Sequence, residues 1–301
     1  REDQMLLHET YESFLRSGAS LQGADREKYR SLSKHLTELT LQFEQNTLKD
    51  NNAYEMWLTK DDLAGLPESA IEAAKAAAKE KGRDDNYLIT LHAPSYSAFM
   101  KYSSRRDLRE KLYRAYNTQC TDGEYSNMEI TKDIANTRLA IANLLGYKSY
   151  ADYHLEHMMA QNTKNVYAML NQLKDAYAPV ERKDMQELEQ YASGVEGHKV
   201  KIMPWDYSYY SNKEKDAKYS INDELLRSYF ELNNVTQGVF GLATKLYGLH
   251  FNENYDAQVF NPEVKAWNVT DSEGNFMGML YTDFFPRASK QSGAWMTNFR
   301  E

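Results

Sequence analysis

Thr163-Lys164-Asn165-Val166-Tyr167-Ala168-Met169-Leu170-Asn171-Gln172-Leu173-Lys174-Asp175-Ala176-Tyr177-Ala178-Pro179-Val180 is the stretch on which the fold class turns. Val166, Leu170, Leu173, Tyr177 and Val180 recur at alternating steps of four and three, which places them on one face of a helix. Thr163 reads as the cap, and Pro179, with no amide N–H to donate, as a possible kink. The same period runs outward in both directions. Pro94 to Tyr191 is helical almost throughout, with Gly146 as a stop and Ser149 with Asp152 as a capping box for the next start. Towards the amino terminus, Leu32, Leu36, Leu39 and Phe43 line a long helix over 25–50, preceded by a shorter one over about 3–17 that ends near Gly18.

Two breaks in this pattern carry strand composition. Residues 54–59 and 86–92 read as a small antiparallel pair, separated by an Ala/Lys/Glu-rich helix that Pro67 opens and Gly82 closes. A second helical block covers 204–249, with Asn222-Asp223-Glu224 as a start and Gly248 as a stop. Beyond it the period falls to two. Residues 263–270, 276–285 and 293–299 read as a three-stranded antiparallel meander, with a turn at Asp271-Ser272-Glu273-Gly274-Asn275. The polar stretch 193–199 is the interior joint, giving regions 1–195 and 196–301. The fold class is mainly α, with a small antiparallel sheet near the carboxyl end.

Composition narrows the function. The 301 residues carry a formal net charge of −8, against the clustered Lys and Arg that phosphate contacts require, so nucleic acid is not an expected partner. No run approaches the roughly 18 apolar residues that span a bilayer, and no membrane partner is expected. The single Cys120 excludes an internal disulfide and a thiolate zinc site, and fits a reducing, cytoplasmic setting. The chain opens Arg1-Glu2-Asp3 with no initiator Met and stops just after an apolar run, so it reads as a piece of a longer protein.

No complete active site is visible among the residues. A helical zinc hydrolase motif needs two His four apart enclosing a Glu, because residues at that spacing share a face and can meet one ion. His8-Glu9 begins such a pattern, but Glu12 occupies the second position. His154 and His157, three apart, could approach one metal; two surface His on an amphipathic helix are the commoner case. There is no nucleophile elbow and no phosphate-cradling Gly loop. Pro204-Trp205-Asp206-Tyr207-Ser208-Tyr209-Tyr210 is dense in aromatics that could line a cleft or fill a core.

An ordered series of segments carries a resemblance. Trp205 to Tyr210, Tyr229-Phe230-Glu231-Leu232-Asn233-Asn234-Val235, Gly248-Leu249-His250-Phe251, Pro262 to Trp267 and Gly278 to Arg287 follow one another as in the thimet oligopeptidase, neurolysin, oligopeptidase A and peptidyl-dipeptidase family of zinc metallopeptidases. Arg1 to Asn51 resembles that family's amino-terminal helices, so the likeness covers essentially the whole chain. Lys290 and Ser292 to Phe299 look more like the bacterial peptidyl-dipeptidase branch, which releases dipeptides from carboxyl ends.

The resemblance implies a neurolysin-like, zincin-type architecture, a parent that uses one zinc ion to activate water, and short peptides as substrates. The family's zinc ligands and catalytic Glu sit in an H-E-x-x-H helix and beyond it, which these residues do not contain, so no catalytic or metal-binding residue is carried over. No catalytic zinc is expected on this chain alone. Gly293 to Phe299 resembles the family's substrate-facing edge strand, so Gly293, Ala294, Trp295 and Met296 are the expected substrate-binding residues. The other reading packs Trp295 and Phe299 under the sheet. An exposed edge strand would also favour self-association of the isolated chain. The competing hypothesis is a non-catalytic helical module that binds peptides or a partner protein.

Overall fold

The computed structural model describes residues 1–291 and 293–299. Its contacts separate into two units: Arg1–Leu66 with Ala70–Tyr210, and Pro67–Ser69 with Ser211–Glu301. Residues 200–210 count with the first unit because the chain after the longest helix returns to that unit's core, where Val200, Ile202, Trp205, Tyr209 and Tyr210 are buried.

The first unit opens with α1 (Glu2–Arg16) and α2 (Gly23–Ala53), whose Leu39 is buried. Strand β1 (Met56–Leu58) pairs antiparallel with β2 (Tyr87–Ile89), and α3 (Glu68–Glu80) lies between them in sequence. The helices α4 (Ala93–Tyr102), α5 (Arg106–Asn117), α6 (Met128–Leu144), α7 (Tyr150–Leu155) and α8 (Thr163–Glu196) follow. The start and stop signals act as the residues suggest. Ser149 Oγ accepts from the Asp152 amide at 3.1 Å and donates to its carboxylate at 2.8 Å, while Gly146 takes φ 91°. The cap of α8 is Asn162 rather than Thr163: its side-chain oxygen accepts from the Asn165 amide at 2.9 Å, the reach an Asn cap needs.

The core of this unit gathers both strands with helices α4 and α5. Met56, Leu58, Ile89, Leu91, Phe99, Met100, Leu112 and Trp205 bury their side chains together. A second cluster joins the end of α8 (Leu188, Ala192) to Val200, Ile202, Tyr209 and Tyr210. Asn46 and Asn127 tie α2 to the start of α6, Asn46 Nδ2 donating to Asn127 Oδ1 at 3.0 Å. Both Asn side chains are buried, and this bond satisfies groups whose desolvation would otherwise be unfavourable.

The chain passes from the first unit to the second within α9 (Tyr207–Tyr219), and the second unit continues through α10 (Asp223–Arg227) and α11 (Leu232–Tyr247). A sheet of β3 (His250–Glu253), β4 (Lys265–Thr270) and β5 (Phe276–Thr282) follows, in the order β3-β4-β5 and antiparallel throughout. Phe240 of α11 stacks on Phe251 at 4.2 Å and meets Trp267 edge-on at 4.9 Å, which anchors the helix to one sheet face. The Asp271 carboxylate accepts from the amides of Glu273 and Asn275, closing the expected β4–β5 turn.

The third strand differs from expectation. It is β3, whose residues follow the helical block expected over 204–249 and carried no expected element, while residues 293–299 pair with nothing among the described residues. Four residues are too few to display an alternating period. β3 owes its place to the register with β4, where Phe251 and Glu253 face Val269 and Trp267.

Candidate peptide-binding segment

Gly293, Ala294, Trp295 and Met296 lie beyond β5 on exposed, non-helical backbone. Trp295 is 62% exposed and Met296 87%, so neither packs beneath the sheet. Phe299 does reach back, its ring meeting Tyr281 of β5 edge-on at 5.8 Å. Gly293 takes φ 119°, a conformation L side chains rarely adopt, and this turns the chain out of the extended path a ladder strand would need.

A charged clamp places this segment. The Asp283 carboxylate, just past β5, accepts from Arg287 Nη1 and Nη2 at 2.8 and 2.7 Å in a fork-to-fork pair. Lys290 Nζ approaches the same carboxylate at 2.7 Å and donates to the carbonyls of Asp283 and Phe285 at 3.0 and 2.6 Å. Three groups spaced over eight residues thus fold 283–290 into a tight bend three residues before Gly293. The hydrogen bonds from Arg287, with help from Lys290 and opposed by burial, depress the pKa of the Asp283 carboxyl to about 2. Sequence reading missed the clamp; the signal present was an Asp with Arg four residues on, outside any helix.

In the same unit a cleft of about 270 Å³ opens between the first turns of α11 and the sheet. Asn233, Gln237, Glu253, Lys265 and Phe284 contribute to its wall and Trp267 to its floor. Trp267 is buried, its Nε1–H donating to Thr282 Oγ1 at 3.1 Å, and Lys265 Nζ stands 3.4 Å from Glu253. These groups offer apolar contact and hydrogen bonds to a ligand. They include no activated nucleophile.

The other candidates resolve as structural. Trp205, Tyr209 and Tyr210 are buried and belong to the core, whereas Tyr207 of the same cluster is exposed. Asp206, fully buried, accepts from Arg106 Nη2 at 2.6 Å, Arg109 Nη2 at 2.9 Å and the Met203 amide at 3.1 Å. Burial pushes its carboxyl up, but these donors outweigh that and hold it below the usual carboxylate range. Arg109 is completed by the carbonyls of Ser103 and Trp205 and by the Tyr209 ring 4.1 Å beneath it. Cys120 is buried, and desolvation, with Asp50 nearby, raises its thiol, which makes it a poor nucleophile.

His154 stacks on Tyr150, and the carboxylate of Glu156 beside His157 is engaged by Arg16 and Tyr147 at 2.5 Å each. Among the described residues no three His, Cys, Asp or Glu are grouped to hold a metal ion. The described residues therefore offer no ligand set for a zinc ion.

The profile of peptidase family M3 matches residues 99–301, and the chain belongs to that metallopeptidase family. Among curated proteins it is similar to oligopeptidase A of Salmonella typhimurium, with 36% identity over 286 residues that make up 93% of this chain and 42% of that protein. It is also similar to dipeptidyl carboxypeptidase of Escherichia coli (31% identical, 98% of this chain and 44% of that one) and to saccharolysin of Saccharomyces cerevisiae (29% identical, 98% and 42%). The chain thus spans less than half the length of each of these relatives. The mostly helical fold with its small antiparallel sheet agrees with that membership.

Proposed function

We propose that the protein containing these residues hydrolyses short peptides, and that Gly293 to Met296 bind the substrate backbone. The observation supporting this most is the match to peptidase family M3 across residues 99–301, which includes the exposed segment. Main-chain N–H and C=O groups on exposed backbone pair with an extended peptide whatever its side chains, which suits a broad-specificity peptidase. Gly293 and Ala294 leave room for close approach, and Trp295 and Met296 add apolar contact. In the parent, the metal and its ligands belong to residues other than these 301, since these contain no H-E-x-x-H.

The test is to express the complete reading frame and assay blocked short peptides with and without a chelator. Chelator-sensitive hydrolysis is expected. Activity indifferent to chelation overturns the metallopeptidase reading. The 301-residue chain alone is expected to cleave nothing.

Two branches divide on specific observations. Lys290 and the residues to Phe299 resemble the dipeptide-releasing branch, whereas overall identity is higher to oligopeptidase A, 36% against 31%. Amidating the substrate's carboxyl terminus separates them. A dipeptide-releasing enzyme loses most of its rate on the amide, and an enzyme cutting internally keeps it. A cytoplasmic location is proposed for the protein; no helix among the described residues is long and apolar enough to cross a membrane. The isolated chain is expected to self-associate through the outer edge of β5, which light scattering across a dilution series would detect.

A further inference from the structure

We infer that the cleft between the first turns of α11 and the sheet binds a guanidinium, the side chain of an arginine in a short peptide. Both walls of this cleft belong to one unit, Ser211–Glu301. Phe240, packed on Phe251 and Trp267, fixes α11 against the sheet. In the turns before it, Asn233, Thr236 and Gln237 present short or polar side chains instead, and about 270 Å³ stays open. The space is therefore formed before any ligand arrives.

Charge selects the ligand. The ionised side chains of the cleft are Glu253, Glu263 and Lys265, one cation against two carboxylates. Lys265 Nζ stands 3.4 Å from Glu253, beyond the roughly 2.7–2.9 Å of a charge-assisted hydrogen bond. The Glu263 side chain makes no hydrogen bond and no ion pair among the described residues. Arg287 senses its charge, but that guanidinium is taken by Asp283. A helix start ordinarily attracts anions; here Glu231 already accepts from the Asn234 amide at 3.0 Å and places a negative charge on it. A cation is favoured over an anion.

The surface selects among cations. Trp267 forms the floor, and Phe284 and Phe285, 55% and 47% exposed, stand in the wall. A guanidinium is planar and weakly hydrated, so it lies on aromatic rings while its N–H groups fork onto carboxylates. An ammonium is a strongly hydrated point charge and gains less from the same rings. The Gln237 carboxamide, without a partner among the described residues, offers one further acceptor. That the guanidinium belongs to a peptide rests on the peptidase reading; the preference for a guanidinium does not.

The test titrates the protein expressed from its complete reading frame with Nα-acetylarginine amide and with its neutral isostere Nα-acetylcitrulline amide, by calorimetry. The arginine compound is expected to bind roughly tenfold more tightly. Glu263→Gln, at an exposed side chain, is expected to remove most of that preference. Glu273→Gln, in the β4–β5 turn outside the cleft, is expected to leave it unchanged. Lys265→Met, which removes the resident cation, is expected to tighten arginine binding several-fold. Equal affinity for the two compounds overturns the proposal, as does a preference that survives Glu263→Gln. A loss as large in Glu273→Gln as in Glu263→Gln reports general surface charge and also overturns it. Should Glu263→Gln fail to fold, Lys265→Met decides: arginine binding that stays the same or weakens refutes the site. Hydrolysis does not enter these readouts. Arginine binding without chelator-sensitive hydrolysis refutes the proposed function alone, and hydrolysis without the arginine preference refutes this site alone.

Discussion

Asp206 shows how strongly one side chain can organise this molecule. It is fully buried and holds Arg106 and the equally buried Arg109, which in turn anchors the carbonyls of Ser103 and Trp205. Removing one partner from a buried pair strands the other charge, so Asp206→Asn is expected to destabilise by about 3–5 kcal/mol. Urea denaturation of the variant beside the unsubstituted protein measures it; a loss below ~1 kcal/mol would show that water reaches Arg109. Asp283 differs because its pairs are partly open to solvent. Its carboxyl is depressed to about 2, so its stabilisation is present above the ordinary carboxylate pKa of about 4 and is lost as pH falls from there towards 2. The bend at 283–290 should therefore loosen across that window by on the order of 1 kcal/mol or less, read from the amide resonances of 284–291 during an acid titration.

At the scale of elements, junctions are decided by backbone space. Gly65 links the 3₁₀ turn Lys60–Asp62 to α3 with φ 88°, and a Cβ there would collide with the Tyr102 carbonyl and Ser104 Oγ. The Ser104 amide donates to the Ala64 carbonyl at 2.8 Å, so neither strand of this junction can simply move away. Gly65→Ala is expected to cost at least ~2 kcal/mol, and a neutral result in thermal unfolding would mean that the two segments part without cost. Gly293 is a contrasting case: its φ is positive, but a Cβ would meet nothing. Gly293→Ala is strained at this φ, and because the segment is exposed it is expected to relax at little cost in stability while losing the conformation proposed to face substrate. In the complete enzyme this predicts a several-fold rise in KM with kcat retained, and an unaltered KM removes the segment from the binding site.

Across the whole molecule, helices were legible because a 3.6-residue period survives over many turns, as along Leu32, Leu36 and Leu39 or Val166 to Val180. Caps at Ser149, Asn222 and Gly248 were legible for a different reason: each acts within a few residues of chain. The long-range features were not. Nothing in the four residues His250–Glu253 announces a strand, because the partners in β4 that supply the register lie 14 to 20 positions on. Nor could local spacing bring Arg109 and Asp206 together, since 97 positions separate them. The segment 293–299 alternates like a strand, yet alternation specifies only a possible face, and a strand exists only where another offers hydrogen bonds. Local sequence thus determined the helical class, the turns and the missing metal motif, because those depend on neighbours in the chain. Tertiary structure alone decided which aromatics became core, which carboxylate became a buried anchor and where Gly293 to Met296 stand, because these depend on what distant segments bury or leave open.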